Sequence, residues 1–334
     1  MTQPANAPTN LRVHLLHKPD DAAFQTLQAL LDAGISLTWG QDVPSPADYH
    51  ILVGGRPARE HLEASPVLER LIIPYAGLPA STRTLLLDFP HLAVNNLHHN
   101  AALTAEMAVA LLLAAAKFII PYDRALRAHD WTPRYQPNPS ILLEGKTALV
   151  LGLGVIGKRV ARACWGLGMK VLAVRREPRE ETLKFPVEIH PSAALPELLP
   201  RAHALVIALP ATPATDGLIG AQELALLPQR AVLVNIGRGA IVEQRALFEA
   251  LQTGALAAAG MDVWYNYPSD VDSRAHTPPA DYPFHELDNV VMSPHRAGHS
   301  EETETLRMQA LAALLNAAAR GGPVPNRVNV EAGY

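Results

Sequence analysis

Three glycines between an apolar strand and a helix constrain this chain more than any other feature. The segment 148–174 begins with an apolar stretch, passes three glycines, continues as an amphipathic helical pattern and ends in a second apolar stretch. Gly152 permits a tight turn, Gly154 lets a pyrophosphate approach the backbone, and Gly157 lets the helix pack close to the strand. Glycines also gather in turns for conformational reasons alone. The strand and helix around them favour a dinucleotide site at the helix N-terminus.

The residue that distinguishes the two nicotinamide dinucleotides is expected at the end of the second strand. An acidic side chain there binds the ribose 2′-hydroxyl of NAD. This chain has Arg175 and Arg176 at that place. Because a guanidinium attracts a 2′-phosphate, the pair predicts NADP as cofactor, with NAD possible. The alternative is that both are solvated loop cations near Arg179.

Apolar stretches alternate with helical patterns on both sides of the glycine turn, which is typical of parallel sheets covered by helices. The predicted strands are 11–16, 35–38, 49–53, 71–73, 92–94, 148–151, 170–174, 204–209, 231–236, 257–261 and 289–292. The predicted helices are 21–32, 101–120, 156–167 and 301–320, with shorter ones near Leu195, Leu224 and Leu247. We therefore predict an α/β fold of two parallel-sheet domains, Rossmann-like or flavodoxin-like.

The two predicted domains are not consecutive in the chain. A long apolar helix at 101–120 is expected to carry the chain into the second domain, and the last helix to carry it back. A dinucleotide-binding domain at 101–298 would then be inserted into a discontinuous substrate-binding domain, 1–100 and 299–334. The stretch 131–140 contains three prolines and is predicted to be an ordered loop without helix.

Composition excludes several classes of protein. Hydrophobic residues make up 49% and charged residues 18% of the 334 residues, which indicates a globular protein. A net charge of −4 with scattered basic residues argues against a nucleic-acid partner. The first ten residues lack a basic and apolar leader, so we expect a short disordered tail and a cytoplasmic location. The stretch 101–120 is as long as a membrane span, but Glu106, Lys117 and Pro121 favour a helix buried between domains or subunits.

Three side chains capable of chemistry follow predicted strands of the second domain. Arg238 lies in NIGRG, Asp262 in GMDVW and His295 in PHRAG. Because the carboxyl ends of parallel strands open onto one crevice, we expect these side chains to converge there. Singly they could be a surface cation, a turn former and a core histidine, but their joint placement at strand ends favours a reaction site.

These motifs resemble those of the D-isomer-specific 2-hydroxyacid dehydrogenases, and of glyoxylate and hydroxypyruvate reductases among them. The resemblance rests on GLGVIG (152–157), ALPATPATDGLIG (208–220), NIGRGAIV, GMDVW and PHRAG, with TAEMA (104–108) at the domain crossing. It implies an oxidoreductase that moves a hydride between NAD(P)H and a small 2-oxo or 2-hydroxy acid. It also implies a homodimer.

The resemblance gives roles to individual residues. Arg238 would orient and polarise the substrate, and His295 would exchange the proton. Ala76 and Gly77, in the turn 75–78, would hold the substrate carboxylate through their backbone amides. The implied cofactor contacts are Thr104, Gly152, Gly154, Val155, Ile156, Gly157, Arg175, Arg176, Leu209, Pro210, Thr215, Ile236, Gly237, Arg238, Asp262, His295 and Gly298.

One position at the implied catalytic centre departs from the family pattern. The family pairs its histidine with a glutamate in D-V-F-x-x-E-P, whereas DVWYNYP in this chain has Tyr267 in the place of the glutamate. A neutral phenol accepts a hydrogen bond but cannot stabilise an imidazolium as a carboxylate does. We therefore expect His295 to titrate lower than in relatives. The segment that follows is longer than in the family and leaves other substitutes open: His276, Asp270, Asp272 and Glu286.

Two other functions stay open because of that departure. A dinucleotide-sensing binding protein on the same fold would also tolerate Tyr267 at this place. Formate oxidation is the other alternative, since formate dehydrogenases of the superfamily carry an uncharged glutamine there. No metal is predicted, because no fixed ligand set is formed by the candidate histidines His98, His99, His295 and His299.

Overall fold

The chain forms two compact units in a computed structural model that describes residues 10–177 and 182–333. The first unit comprises Met1–Asn100 and His299–Tyr334, and the second unit comprises Ala101–Gly298. All but the last residue of the predicted N-terminal tail, and Arg179, lie outside the described residues.

Strands and helices alternate along the described chain. Up to residue 100 they are β1 (Leu11–Leu15), α1 (Asp21–Leu30), β2 (Ile35–Trp39), β3 (Ile51–Val53), α2 (Arg59–Glu63), β4 (Arg70–Ile73), α3 (Ala80–Leu86) and β5 (Ala93–Asn96). From residue 101 to residue 200 they are α4 (Ala101–Ala116), α5 (Ile119–Arg127), β6 (Thr147–Leu151), α6 (Val155–Gly166), β7 (Lys170–Val174), β8 (Glu188–His190) and α7 (Leu195–Leu198). The remaining elements are β9 (Ala204–Ile207), α8 (Ala221–Leu226), β10 (Val232–Asn235), α9 (Gln244–Gln252), β11 (Ala258–Met261), β12 (Val290–Met292) and α10 (Thr303–Ala319).

The first unit contains a five-stranded parallel sheet in the order β2-β1-β3-β4-β5. Successive residues of its inner strands point to opposite faces, and both faces are apolar. On β3, Ile51 and Val53 join one core cluster with α1 and α10, whereas Leu52 joins the cluster on the other face. A strand that is buried on both faces needs a continuous apolar run, which explains why these strands were visible in the sequence. The strand order is the flavodoxin-like one.

The second unit contains a seven-stranded parallel sheet in the order β12-β11-β10-β9-β6-β7-β8. Alternate residues of β6 again face two cores: Ala148 and Val150 lie on the side of α4 and α6, and Leu149 and Leu151 on the other. The chain runs outward from β6 through β7 to β8 and then returns to β9 on its other side. This reversal creates a topological switch point at the carboxyl ends of β6 and β9.

The fold class agrees with the sequence-based prediction, and every predicted strand is present with ends shifted by at most two residues. The short strand β8 was not predicted. Its residues Glu188, Ile189 and His190 are only partly apolar and partly exposed, so hydrophobic patterning gives no signal at this sheet edge.

The prediction of one helix over 101–120 is wrong. α4 ends at Ala116, Phe118 adopts a left-handed conformation with φ of 54°, and α5 begins at Ile119. The reason is Pro121, which lacks an N–H and would clash with the preceding turn of a continuous helix. The break places Pro121 in the first turn of α5, where no N–H donor is needed.

The stretch 131–140 was predicted to contain no helix, and this is wrong over four residues. Thr132–Tyr135 form a 3₁₀ turn in which Pro133 stands near the N-terminus, where proline is tolerated. A proline at the start of a turn therefore does not exclude helical structure.

Among the described residues, no single helix is both long and apolar enough to cross a membrane. The pair Ala101–Ala116 and Ile119–Arg127 reaches the required length and composition only when taken together, and the two helices are bent by 68°.

Candidate active site

The glycine turn at the end of β6 is required by the packing of the second unit itself. Gly152 has a positive φ of 94°, and a Cβ there would lie 2.7 Å from the carbonyl oxygen of Ala208. A Cβ on Gly157 would lie 1.8 Å from the carbonyl oxygen of Gly152. Any side chain at either position therefore collides with backbone. These two glycines allow the strand, the turn and α6 to approach one another.

Gly154 differs from Gly152 and Gly157 because none of the described residues lies close enough to require a glycine there. It is the N-cap of α6, and a Cβ built on it meets no atom within 4 Å. The first-turn amides of α6, beginning with Val155 and Ile156, have no partner within the helix. A pyrophosphate could occupy this open space and accept hydrogen bonds from these amides.

Arg175 and Arg176 follow directly after β7, beside the glycine turn. β7 pairs with β6 in a register that sets Val174 against Leu151, so both strands end at the same edge. The backbone N–H of Arg175 donates to the carbonyl of His190 at 3.0 Å, which fixes the start of this loop. The Arg175 side chain is partly buried and that of Arg176 is exposed. Two arginines thus follow the end of β7, where the sequence predicts that the ribose of the cofactor binds.

The hydroxyl group of Thr215 stabilises the loop after β9 by hydrogen bonds within the loop. Thr215 donates to the carbonyl of Pro210 at 2.7 Å, and its hydroxyl accepts the N–H of Thr212 at 2.9 Å. A Cβ on Gly237 would lie 2.6 Å from the carbonyl oxygen of Leu209, so the loops after β9 and β10 are in contact. Leu209, Pro210, Thr215 and Gly237 therefore lie together on the same edge as the glycine turn.

Asn235, at the end of β10, shapes the loop that presents Arg238. Its buried side chain accepts the N–H of Gly237 at 3.0 Å and donates to the carbonyl of Arg238 at 2.9 Å. Ile236 is turned into the core, whereas the Arg238 side chain is exposed and donates to the carbonyl of Gly237 at 2.6 Å. Asn235 was not among the predicted site residues. Its position directly before the glycine loop was the available signal.

Asp262 acts as a clasp on the loop after β12. The carboxylate is 1% exposed and accepts three hydrogen bonds: from the Ser293 hydroxyl at 2.5 Å and from the backbone N–H groups of Arg296 at 2.9 Å and Ala297 at 3.0 Å. Three donors compensate the cost of burying a charge. These three hydrogen bonds of Asp262 are thus all with the loop that follows β12.

His295 is displayed at the centre of this clasped loop. Its φ is 57°, a left-handed conformation that non-glycine residues adopt only when their surroundings impose it. The bonds to Asp262 flank it, and the indole N–H of Trp264 donates to the carbonyl of Ser293 at 2.8 Å. The His295 side chain itself is exposed. Trp264 and Ser293 are positioning residues that the sequence analysis missed.

Tyr267, the residue predicted to occupy the place of the family glutamate, lies against His295. The ring centroids are 5.5 Å apart, and the Tyr267 hydroxyl accepts the backbone N–H of Trp264 at 3.1 Å. Burial raises the pKa of Tyr267, while the nearby Arg238 acts in the opposite direction and Asp262 raises it further. The phenol is therefore neutral at physiological pH. Arg238 and Asp262 thus lie close enough to Tyr267 to affect its pKa, and the Tyr267 ring contacts His295.

The other candidate substitutes for the glutamate have contacts within their own segments. Asp270 bonds to Ser269 and Ser273 in an exposed turn, which lowers the pKa of its carboxyl. Asp272 begins a short 3₁₀ turn, Glu286 lies near the exposed His285, and the His276 N–H donates to the carbonyl of Ser273. Of these candidates and Tyr267, it is Tyr267 whose ring contacts His295.

The remaining predicted residues are divided between the two units. In the first unit, Gly77 turns the chain after β4 with φ of 91°, and Ala76 directly precedes it. In the second unit, Thr104 is buried in α4 and Gly298 closes the clasped loop.

The histidines considered as metal ligands do not form a ligand set. Burial and the nearby Arg307 lower the pKa of His99 in the first unit to about 4. Among residues 10–177 and 182–333, no three His, Cys, Asp or Glu side chains are placed to hold a metal ion.

A seven-stranded parallel sheet with a glycine turn at its switch point defines a dinucleotide-binding protein of the Rossmann type. The chain belongs to the D-isomer specific 2-hydroxyacid dehydrogenases, because the NAD binding domain of that family matches residues 109–297. The predicted family and fold class are confirmed, as is a nicotinamide dinucleotide as the class of ligand. The family is one of oxidoreductases, as predicted.

Similar proteins include enzymes with different substrates. The glyoxylate reductase of Korarchaeum cryptofilum is 37% identical over 233 residues, which are 68% of this chain and 66% of that protein. The D-3-phosphoglycerate dehydrogenase of Archaeoglobus fulgidus is 36% identical over 235 residues, 69% of this chain and 41% of that protein. The matched region thus spans just under two thirds or less of these curated relatives.

A solved structure matches the chain over almost its whole length. It is a D-isomer specific 2-hydroxyacid dehydrogenase from Xanthobacter autotrophicus Py2 in complex with NADPH and MES, with a TM-score of 0.79 and 26% identity. The match covers 98% of this chain and 100% of that chain.

Proposed function

We propose that this chain reduces small 2-oxo acids, such as glyoxylate or hydroxypyruvate, to 2-hydroxy acids with NADPH, and less well with NADH. The observation that carries the proposal is the clasp by which Asp262 holds the His295 loop, with Arg238 and Tyr267 beside it. The name of the Korarchaeum relative supports the substrate class, and the NADPH in the Xanthobacter structure supports the cofactor.

The residues of the glycine turn fit a dinucleotide. Gly154 leaves open the space that a side chain would fill, and the amides of Val155 and Ile156 would hold the pyrophosphate there. Arg175 and Arg176 would pair with a 2′-phosphate. When bound, the nicotinamide supplies the hydride for C2 of the substrate.

Arg238 supplies the positive charge that this reduction needs. Its planar guanidinium can donate to a carboxylate oxygen and to the carbonyl oxygen of a 2-oxo acid together. It therefore orients the substrate, and it stabilises the negative charge that develops on the carbonyl oxygen. The family resemblance also gives a carboxylate-binding role in the first unit to the backbone amides of Ala76 and Gly77.

His295 supplies the proton. As an imidazolium, it donates a ring N–H proton to the substrate oxygen as that oxygen becomes a hydroxyl, and in the reverse reaction it takes the proton back. The exposed ring on a clasped loop combines access to the substrate with a fixed position. Tyr267 is a neutral phenol, so it favours the protonated form of His295 less than a carboxylate in the same place would.

We also propose a homodimer located in the cytoplasm. The segment after α4 exposes large apolar side chains: Ile119 is 50% exposed, Leu126 49%, Trp131 60% and Leu142 65%. A second copy of the chain is the proposed partner for this segment, because large apolar side chains that are exposed in one chain are often covered at interfaces between subunits.

A dinucleotide-sensing protein is the second candidate, and Tyr267 is the observation that favours it. A chain that had lost catalysis would keep the glycine turn and the cations after β7, while another residue, here Tyr267, would stand in the place of the family glutamate. Such a protein would bind NADP(H) tightly and leave 2-oxo acids unchanged.

Rates of NADPH and NADH oxidation with glyoxylate, hydroxypyruvate, pyruvate and 2-oxoisocaproate test the proposal. We expect turnover of the smaller acids, with His295→Gln and Arg238→Lys reduced about 100-fold or more. His285→Gln and Arg201→Lys are matched controls, since both side chains are exposed. Tight NADPH binding without turnover of any of the acids would instead establish the sensing protein.

A further inference from the structure

Two adjacent glycines at the carboxyl end of β3 are covered by side chains from neighbouring strands of the first unit. A Cβ on Gly54 would lie 2.4 Å from Cδ1 of Leu16, and a Cβ on Gly55 would lie 1.9 Å from the hydroxyl oxygen of Tyr75. β4, which Tyr75 follows, pairs directly with β3. The Tyr75 side chain thus reaches across to the neighbouring strand end and occupies the space over Gly55.

Contacts on several sides hold Tyr75 in this position. Its ring is partly buried and packs against the core cluster that contains Leu52 and Ile73. The carbonyl of Gly55 beneath it accepts the hydroxyl of Thr82 at 2.8 Å. Burial raises the pKa of Tyr75, against the opposing effect of Arg56, so the group is a neutral phenol at physiological pH. A packed aromatic ring with few rotatable bonds forms a rigid wall.

This wall stands next to the turn that is proposed to hold the substrate carboxylate. Tyr75 directly precedes Ala76 and Gly77 in the chain. Consecutive Cα atoms are about 3.8 Å apart, so a carboxylate bound to those amides would lie beside the residue that carries the ring. The substituent on C2 of a 2-oxo acid begins one carbon beyond its carboxylate. A bulky substituent directed toward the end of β3 would therefore meet the ring of Tyr75.

We propose that Tyr75 is a specificity-determining residue that restricts the enzyme to 2-oxo acids with small C2 substituents, up to about the size of a hydroxymethyl group. The inference rests on the proposed function and adds the substrate class that the site accepts. Its chemical basis is exclusion: a fixed ring rejects a larger ligand because neither the ring nor the backbone beneath it can move aside.

Replacement of the ring separates this role from simple packing. In Tyr75→Ala, kcat/KM for 2-oxoisocaproate and phenylpyruvate relative to glyoxylate should rise about tenfold or more, since pocket size controls discrimination on that scale. Tyr75→Phe keeps the wall and should keep the wild-type ratio. Leu85→Ala is the matched control, because Leu85 packs against the same cluster from α3 and should leave the ratio unchanged.

Further variants keep the test valid if Tyr75→Ala does not fold properly. Gly55→Ala alone must displace the Tyr75 ring and should lower the midpoint of thermal unfolding, whereas the same change should be tolerated in Tyr75→Ala. Tyr75→Val provides a smaller apolar replacement with the same expected change in ratio.

The outcomes distinguish the two proposals. If the wild type reduces glyoxylate and the folded Tyr75→Ala and Tyr75→Val variants keep its substrate ratio, the inference about Tyr75 is overturned and the proposed function stands. If the wild type reduces no 2-oxo acid, the proposed function fails and the inference fails with it.

Discussion

The rings of Tyr267 and His295 lie 5.5 Å apart, centroid to centroid, with an angle of 57° between their planes. The hydroxyl of Tyr267 is turned to the backbone N–H of Trp264, so the contact between the two side chains is one of ring against ring. An uncharged aromatic group therefore stands beside the proposed proton donor, where the family resemblance implies a carboxylate. This relationship predicts how the activity depends on pH.

Tyr267→Glu should move the pH dependence of 2-oxo acid reduction to higher pH. Reduction needs a protonated His295, so its rate falls as pH rises through the pKa of the imidazole. An adjacent carboxylate favours the imidazolium and raises that pKa by about one unit or more. Because Tyr267 is 48% exposed, a glutamate can ionise there. The measurement is kcat/KM for glyoxylate between pH 5 and pH 9, in the same buffer and salt for each protein.

Tyr267→Gln is the control, because it has the length of glutamate without the charge. The fall of its kcat/KM with rising pH should occur at the same pH as in the wild type. If Tyr267→Glu and Tyr267→Gln showed this fall at the same pH, another group would be the electrostatic partner of His295 and the hypothesis would be wrong.

Asp262→Asn should impair both folding and catalysis. The replacement presents an amide NH₂ to donors, so the buried site loses bonds from Ser293, Arg296 or Ala297. We expect the free energy of unfolding to fall by about 1–3 kcal/mol and kcat to fall about tenfold or more as the His295 loop loosens. Urea unfolding and kcat measure the two effects. Asp288→Asn is the control: Asp288 forms an exposed ion pair with Arg124, and its replacement should change neither the stability nor kcat. If kcat were unchanged in a stable Asp262→Asn protein, the hydrogen bonds of Asp262 would not be what positions His295.

The inner strands of both sheets could be predicted because they are buried on two faces and carry continuous apolar runs. The positions of Arg238, Asp262 and His295 at one edge followed from the same reasoning, since parallel strands end together. The edge strand β8 escaped prediction because its residues Glu188 and His190 are partly exposed and polar.

The residues that fix the site could not be predicted by the same means. Trp264 and Ser293 are joined by a hydrogen bond that depends on β11 and β12 being neighbours, and periodicity along the chain carries no information on such a contact. Asn235 likewise acts through its own buried amide. The break at Phe118 arises from the position of one proline, which hydrophobicity does not register.

Two alanine substitutions in the glycine turn should have opposite signatures. Gly157→Ala places a methyl group 1.8 Å from the carbonyl oxygen of Gly152, so we expect the free energy of unfolding to fall by about 1–3 kcal/mol. The methyl group of Gly154→Ala meets no atom of residues 10–177 and 182–333 within 4 Å, so this change should leave stability unchanged. It should weaken NADPH binding about tenfold or more, because the methyl group enters the space proposed for the pyrophosphate. Thermal unfolding and titration calorimetry measure the pair, and undiminished binding by Gly154→Ala would place the dinucleotide elsewhere.

The apolar surface after α4 predicts the oligomeric state. Light scattering at micromolar concentration should give twice the 36.0 kDa mass of one chain. Leu142→Glu introduces a charge at a side chain that is 65% exposed, and it should shift the mass toward one chain. Leu87→Glu, at a side chain 53% exposed in the first unit, is the control and should leave the mass unchanged. A wild-type protein of single-chain mass would contradict the homodimer.

The cations after β7 predict the preference between the two dinucleotides. Arg175→Ser removes one guanidinium from the proposed 2′-phosphate position, and kcat/KM for NADPH relative to NADH should fall about tenfold, equivalent to about 1.4 kcal/mol. The loss should appear mainly in KM for NADPH, since the phosphate is remote from the nicotinamide and is bound equally in the ground and transition states. Arg201→Ser removes an exposed arginine that pairs with Glu188 and should leave the ratio unaltered. If Arg175→Ser and Arg176→Ser both kept the wild-type ratio, the two arginines would be solvated loop cations, and the 2′-phosphate would have to be recognised elsewhere.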